Sequence, residues 1–262
     1  MDMTQTRRER LRTATVAEIK SLARRLLMAG GPHAISLRAI ARDMGMTAPA
    51  IYRYFPSLDA LVVELAEDLY DELGQSIQAA RAAAAADDPL TQLANMARAF
   101  RHWSISHPAE FGLMFGNPVP GVAEFEDGCV TPEHAGARFG APFLEALAEL
   151  WRQAPFPTPP VEIIEVRLGQ HLRPYTSRHQ VEDLPIQIIY AYLSSWTRLY
   201  GLVAMEVFGH LQWAVTTVEP MFEIELAGFL AHLSARPAVR SGRTDARPKT
   251  RPVARPTSQQ PT

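Results

Sequence analysis

The feature that most constrains the fold is a glycine set between two short amphipathic stretches, in the run Ser36 to Phe55, SLRAIARDMGMTAPAIYRYF. Ser36 is a helix-capping residue, and Leu37, Ile40, Ala41 and Met44 follow it at one-face helical spacing. Gly45 is suited to closing that helix in a left-handed conformation. Thr47 caps a second stretch, and Pro49 stands in its first turn, where a missing N–H costs nothing. Ala50, Ile51, Tyr54 and Phe55 form the apolar side of this second helix, which Pro56 stops. Two short helices joined by a tight turn at a glycine make a helix-turn-helix, whose second helix fits a DNA major groove.

The charge is distributed to match. The net charge of -2 conceals ten Lys/Arg against four Asp/Glu in residues 1–55, a balance of +6. Residues 56–235 hold nine against twenty-three, or -14, and residues 236–262 hold seven against one, again +6. A basic end beside an acidic body is the electrostatic footprint of a DNA-binding head on a body that must not bind DNA.

The remainder of the chain reads as helices. Residues 1–8 are expected to be a mobile basic arm. A helix from about Glu9 places Leu11, Thr15, Ile19, Leu22 and Leu26 on one face, exposes Arg24 and Arg25, and ends at Gly30-Gly31. After the helix-turn-helix, Ser57 caps a long helix with Leu61, Leu65, Leu69 and Leu73 in register, extended by the alanines of 81–86. Further helices are expected from Pro89 to just before His107, Ala109 to Phe115, Pro132 to Trp151, Val161 to Arg173, Pro185 to about Phe208 and about Pro220 to Ala235. Between them, residues 116–131 read as a loop and 154–160 as a rigid proline-rich linker. From Arg236 the composition is Pro, Arg, Ser and Thr without periodicity, as in a disordered tail. The fold class is therefore all-α, with a helix-turn-helix DNA-binding domain at 1–56, a helical ligand-binding and dimerisation domain at 57–235 and a tail at 236–262.

No apolar run reaches the ~18 residues of a membrane span, and the start MDMTQTRRERLR lacks the apolar core of a signal peptide. The single Cys129 cannot form an internal disulfide and suits a reducing cytoplasm. The eight histidines contain no HxxxH or HExxH pair, and no nucleophile elbow, phosphate loop or carboxylate pair stands out. Neither an enzyme, a metal nor a cofactor is expected.

The stretch IARDMGMTAPAIYRYFPSLDAL, with the Ala29–Gly31 turn before it, resembles the DNA-binding domain of TetR-type transcriptional regulators. Leu58 stands where that family usually carries Lys or Arg. FGLMFGNPVPG at 111–121 is similar to the body of a TetR subgroup with a Trp-x-x-x-His-Gly signature. Here that segment reads Trp196 to Tyr200-Gly201, with tyrosine in place of the histidine. The resemblance implies a homodimer built mainly on the last two long helices.

On the head, Ser36 and Thr47 are candidates to hold DNA phosphates, with Tyr52 and Tyr54 reaching the backbone from the other side. Arg38, Thr47, Ala48, Pro49 and Ala50 are candidates to face the bases, and Arg38 is the candidate reader of guanine. In the body, Trp103, His107, Phe111, Met114, Phe115, Tyr192, Trp196 and Tyr200 are candidates to line a cavity for an unknown small-molecule effector. The competing reading is a filled helical core, where aromatic residues at helical spacing are ordinary. Taken together, the features describe a cytoplasmic, homodimeric, ligand-responsive regulator of a double-stranded DNA operator, acting as a repressor. The alternatives are a DNA-binding factor that needs no ligand and a small-molecule-binding protein with weak DNA affinity.

A tail with seven basic residues can neutralise phosphates without fixed geometry, releasing counterions but reading no sequence; the competing reading is a solvated linker with no role. A chain truncated after Ala235 is expected to bind its operator with a shallower salt dependence and the same ranking of operator variants. Equal salt slopes for the two lengths, measured by titration at several ionic strengths, would show a tail without a role in binding.

Overall fold

The computed structural model describes residues 6–86, 88–116 and 135–235, and every regular element among them is helical. The tail from Arg236, Cys129, the loop over 117–131 and the helix start at Pro132 lie outside the described residues. So do residues 1–5 of the expected arm.

Helix α1 (Arg7–Gly30) starts two residues earlier than its apolar pattern suggests. Thr6 and Glu9 close a reciprocal cap: the Thr6 N–H donates to Glu9 Oε2 at 2.7 Å, and the Glu9 N–H donates to Thr6 Oγ1 at 3.3 Å. Its buried stripe is Ile19, Leu22, Ala23 and Leu27. Leu11 is 60% exposed because the first turns project past the core. Gly31, at φ 73°, ends the helix and leads into a 3-10 turn at Pro32–Ala34.

Helices α2 (Leu37–Asp43) and α3 (Ala48–Ile51) pack on each other. Beyond Ile51 the chain tightens into i→i+3 turns, with the Arg53 N–H on the Ala50 carbonyl and the Tyr54 N–H on that of Ile51.

Helix α4 (Leu58–Ala82), capped by Ser57, is the spine of the molecule and packs along α5 (Pro89–Ser106) and α7 (Ala135–Gln153). Leu61, Leu65, Leu69, Leu73 and Ile77 are all buried on it. Each contributes about 1.5–3 kcal/mol, more than any exposed ion pair. The alanines of 83–86 do not extend the helix. Gln92 on α5 donates its side-chain amide to the carbonyls of Ala85 and Ala86, and Arg81 donates to Gln92, so tertiary bonds override alanine's helix propensity.

Helix α6 (Pro108–Phe115) follows α5 directly. Beyond the 154–160 linker, the expected single helix is resolved into α8 (Val161–Ile164), a π turn at Glu165–Gly169 and α9 (Gln170–Arg178). Pro174 inside α9 has no N–H for the carbonyl one turn back, and the π turn precedes this gap. Helix α10 (Ile186–Val207) packs on α5 and α7, and α11 (Glu219–Ser234) packs on α5. Paired Arg–carboxylate forks tie α5 to both, Arg101 to Glu206 at 2.6 and 2.7 Å and Arg98 to Glu223 at 2.7 and 2.9 Å. One hydrophobic core runs without a break from Ile19 to Leu233.

Arg24 does not lie on a solvated face. Its guanidinium donates to both Glu72 oxygens on α4, at 2.8 and 3.3 Å, and to Glu110 Oε1 on α6 at 3.0 Å. The Trp103 indole N–H adds a bond to Glu72 at 3.1 Å. The Glu110 side chain is only 3% exposed, so Arg24 is what makes its charge tolerable. Arg24→Leu is expected to cost about 3 kcal/mol, with most of the loss recovered in the Arg24→Leu/Glu110→Leu pair. Burial pushes the Glu72 carboxyl up, but bonds from Arg24 and Trp103 outweigh it and hold it below the ordinary glutamate range. A lowered folded-state value stabilises above the ordinary value, and the gain is lost as pH falls through the depressed one. Urea midpoints measured through the acid range should therefore fall less in Glu72→Gln than in the parent.

Candidate DNA interface and effector cavity

The helix-turn-helix is held by local bonds that its sequence dictates. The Ser36 hydroxyl caps α2 by accepting from the Ala39 N–H at 3.4 Å. Gly45 turns at φ 65°, and the Met46 N–H returns to the Ala41 carbonyl at 2.8 Å. Ile51 and Phe55 anchor the unit in the core. Thr47 precedes α3 without a side-chain capping bond, so its hydroxyl is uncommitted. Thr47, Ala48, Pro49 and Tyr52 are exposed, with Ala50 half-buried beside them and Arg38 exposed on α2. Ser36 is half-buried.

Tyr54 is also half-buried, its ring against the core and the Arg12 guanidinium 5.4 Å from the ring centroid. Arg12 also reaches the Arg53 carbonyl at 3.5 Å. Leu58, the first residue of α4, packs against the core, which accounts for an apolar residue there. Sequence reasoning passed over Arg12 and Arg53, both exposed; the basic balance of residues 1–55 was the available signal.

In the body, the eight candidate lining residues separate. Tyr192 and Trp196 border a cavity of about 370 Å³ between α10 and α11, with α5 and α7 as its floor. The other six lie elsewhere. Trp103 serves the Glu72 site, and His107, stacked on Trp103 at 4.7 Å, has Nδ1 2.9 Å from the Trp103 carbonyl. Phe111 and Met114 are buried in the core, and the Met114 carbonyl accepts from the Tyr70 hydroxyl at 3.0 Å. Phe115 and Tyr200 join an aromatic cluster with Phe100, Phe139 and Trp196, and Tyr200 Oη donates to the Phe115 carbonyl at 2.8 Å.

The cavity walls that sequence reasoning missed are Leu93, Phe143, Leu147, Leu199, Leu202, Phe222, Leu226 and Phe229. Nothing in their types separates a wall from a core. Gly140 also borders the cavity, and a Cβ there would lie 2.5 Å from the Tyr192 hydroxyl. Two residues on, Pro142 removes one rung of α7. No group of three or more metal-ligating side chains occurs among the described residues, and none of the described helices is long and apolar enough to cross a membrane.

An all-helical chain with this head and a cavity-bearing body has the architecture of a DNA-binding transcriptional regulator. Residues 19–65 match the bacterial regulatory proteins, tetR family, and residues 93–229 match the tetracyclin repressor-like, C-terminal domain. The chain belongs to the TetR family of transcriptional regulators. It is similar to the HTH-type transcriptional regulators Rv1816 of Mycobacterium tuberculosis and Mb1846 of Mycobacterium bovis. Each is 29% identical over 201 residues, which cover 74% of this chain and 80% of the relative. Among solved structures, the protein SCO4313 is 32% identical with a TM-score of 0.67, over 86% of this chain and 100% of that one. A protein of unknown function from Rhodococcus sp. RHA1 shares the fold at 18% identity and a TM-score of 0.61, over 84% and 95% of the two chains.

Arg38→Ala is expected to relax preference at one base pair of the operator, at a cost of about 1–3 kcal/mol. Tyr52→Phe should instead weaken all operator variants alike, because phosphate contacts position without specifying. Binding to a panel of single-base operator variants distinguishes them; an unchanged rank order in Arg38→Ala would remove it from the base readers.

Proposed function

We propose that this regulator is a homodimeric repressor of the bacterial cytoplasm, released from its operator by a small molecule bound in the body. The observation that carries this reading is the unbroken core joining a head with an exposed Thr47–Tyr52 face to a body with an open cavity. Ser36, Thr47, Tyr52 and Tyr54 hold phosphates, and Arg38 with residues 47–50 meets base edges. Arg12 and Arg53 add charge at the rim.

Two heads about 34–36 Å apart would enter successive major grooves of a near-palindromic site. Exposed Met205, Met221 and Ile224 on α10 and α11 support pairing of two copies through those helices, in line with the resemblance of the Trp196–Gly201 segment to the Trp-His-Gly subgroup. A ligand shifts the molecule only by binding one arrangement more tightly than the other. The route by which the head would follow is the Arg24 junction, where α1 is tied to both α4 and α6.

The test is a gel shift on the DNA upstream of the protein's own gene, with and without a metabolite extract. Retardation relieved by the extract is expected. Retardation that no extract relieves would leave a ligand-independent factor, and no retardation at all would remove the DNA-binding reading.

A further inference from the structure

We propose that the cavity between α10 and α11 takes a neutral, predominantly apolar molecule and discriminates against both anions and cations. This rests on the effector reading above and gives the effector a chemical class. The volume of about 370 Å³ lies in the range of small-molecule sites.

The walls are mainly Leu, Phe, Met and Trp side chains, and the two hydroxyls among them are already engaged. The Ser195 hydroxyl donates to the Ala191 carbonyl on its own helix. Tyr192 is hydrogen-bonded to Tyr175, and burial pushes its hydroxyl well above the ordinary tyrosine range, so it stays protonated and uncharged. An ion entering the interior would lose its hydration and find no charged partner there, since Arg198 and Glu225 stay at the exposed edge.

The two charged residues that border the cavity, Arg198 and Glu225, are both exposed and of opposite sign. Whichever charge a ligand carried at that edge, it would meet one attraction and one repulsion. An anion would in addition approach a body region with a formal balance of -14. Charge therefore brings a ligand little at the edge and penalises it inside. An uncharged apolar body gains from every wall it touches.

Gly228 provides the means to test this. It borders the cavity, and a Cβ there would meet nothing within 4 Å, so a larger side chain can be added at the cavity's border without a clash at its Cβ. Gly201 on α10 has the same freedom but does not border the cavity. The probe is N-phenyl-1-naphthylamine, an uncharged dye that brightens in apolar sites, competed at neutral pH with 1-decanol, decanoate and decylammonium. The full chain should bind the dye, and decanol should displace it at concentrations roughly tenfold lower than either ion.

Gly228→Phe should weaken dye binding at least roughly tenfold with no loss of melting temperature, while Gly201→Leu binds as the parent does. If Gly228→Phe does not fold, Leu202→Trp fills the same space from α10. Decanoate or decylammonium displacing the dye as well as decanol would overturn the ligand class. Undiminished dye binding by the filled variant would overturn the site. A parent that binds no dye, and whose dimers in sedimentation are lost in Gly228→Phe, would assign the cavity to a second copy. Operator gel shifts on the same preparations separate the two readings. Failure to bind DNA with the dye pattern intact removes the regulator function but not the cavity assignment.

Discussion

The placement of the head on the body depends on one arginine held between two carboxylates. Glu110 is buried, and it pairs with Arg24 from a helix more than eighty residues earlier. Glu72 takes the rest of the guanidinium fork and is itself fixed by the Trp103 indole. One helical turn before this, Lys20 pairs with Asp68 at 2.6 Å, so residues 20 and 24 of α1 meet residues 68 and 72 of α4 in step. Sliding α1 along α4 by a turn would break both pairs and strand Glu110. The cost of leaving that one carboxylate unpaired exceeds what the exposed pairs at the surface can contribute, and this makes the junction specific in register.

The interior of the body is set by a second competition, between filling and leaving open. Phe100, Phe111, Phe115, Phe139, Trp196 and Tyr200 gather with ring centroids about 5–6 Å apart, mostly edge-on or tilted. They occupy the centre that aromatic residues at helical spacing had suggested for a ligand. The open volume is displaced outward, to where α10 and α11 stand over α5 and α7. Trp196 belongs to both, stacked in the cluster and bordering the cavity. A ligand touching Trp196 would thus be one ring away from Phe115, at the end of α6, and α6 is the helix that carries Glu110.

What was legible in the sequence was what local chemistry decides. Ser36, Gly45, Pro49 and Ser57 placed the starts and turns of α2, α3 and α4, because a cap, a positive φ or a missing N–H acts within four residues. The errors came where distant partners decide. The alanines after Arg81 have strong helix propensity, yet Gln92 holds their carbonyls in a turn. Arg24 looks solvated until Glu72 and Glu110 are placed beside it. The cavity was the least legible of all. Leu93, Leu147 and Leu226 are ordinary core residues by type, and what makes them walls is the lack of atoms opposite, which no spacing encodes. Tyr200, expected at a ligand cavity, is hydrogen-bonded to the Phe115 carbonyl, a structural task that an unaligned sequence does not reveal.

The apolar Leu58 raises the question of how a head lacking that cation holds DNA beside so acidic a body. Screening supplies the first half of the answer: charges more than about 8–10 Å apart across solvent interact weakly at physiological salt. The balance of -14 therefore governs long-range approach, while the groups at the contact surface govern holding. The second half lies in where those groups sit. Leu58 packs into the core, so a cation there would give up apolar packing that helps seat the start of α4. Arg12, reaching over the Tyr54 ring to the Arg53 carbonyl, instead brings positive charge to the end of the α3 turn and steadies that turn by the same contacts. Arg53 itself is exposed beside Tyr52. The head thus keeps cations next to the expected phosphate contacts while using the position of Leu58 to join the helix-turn-helix to the spine that carries it.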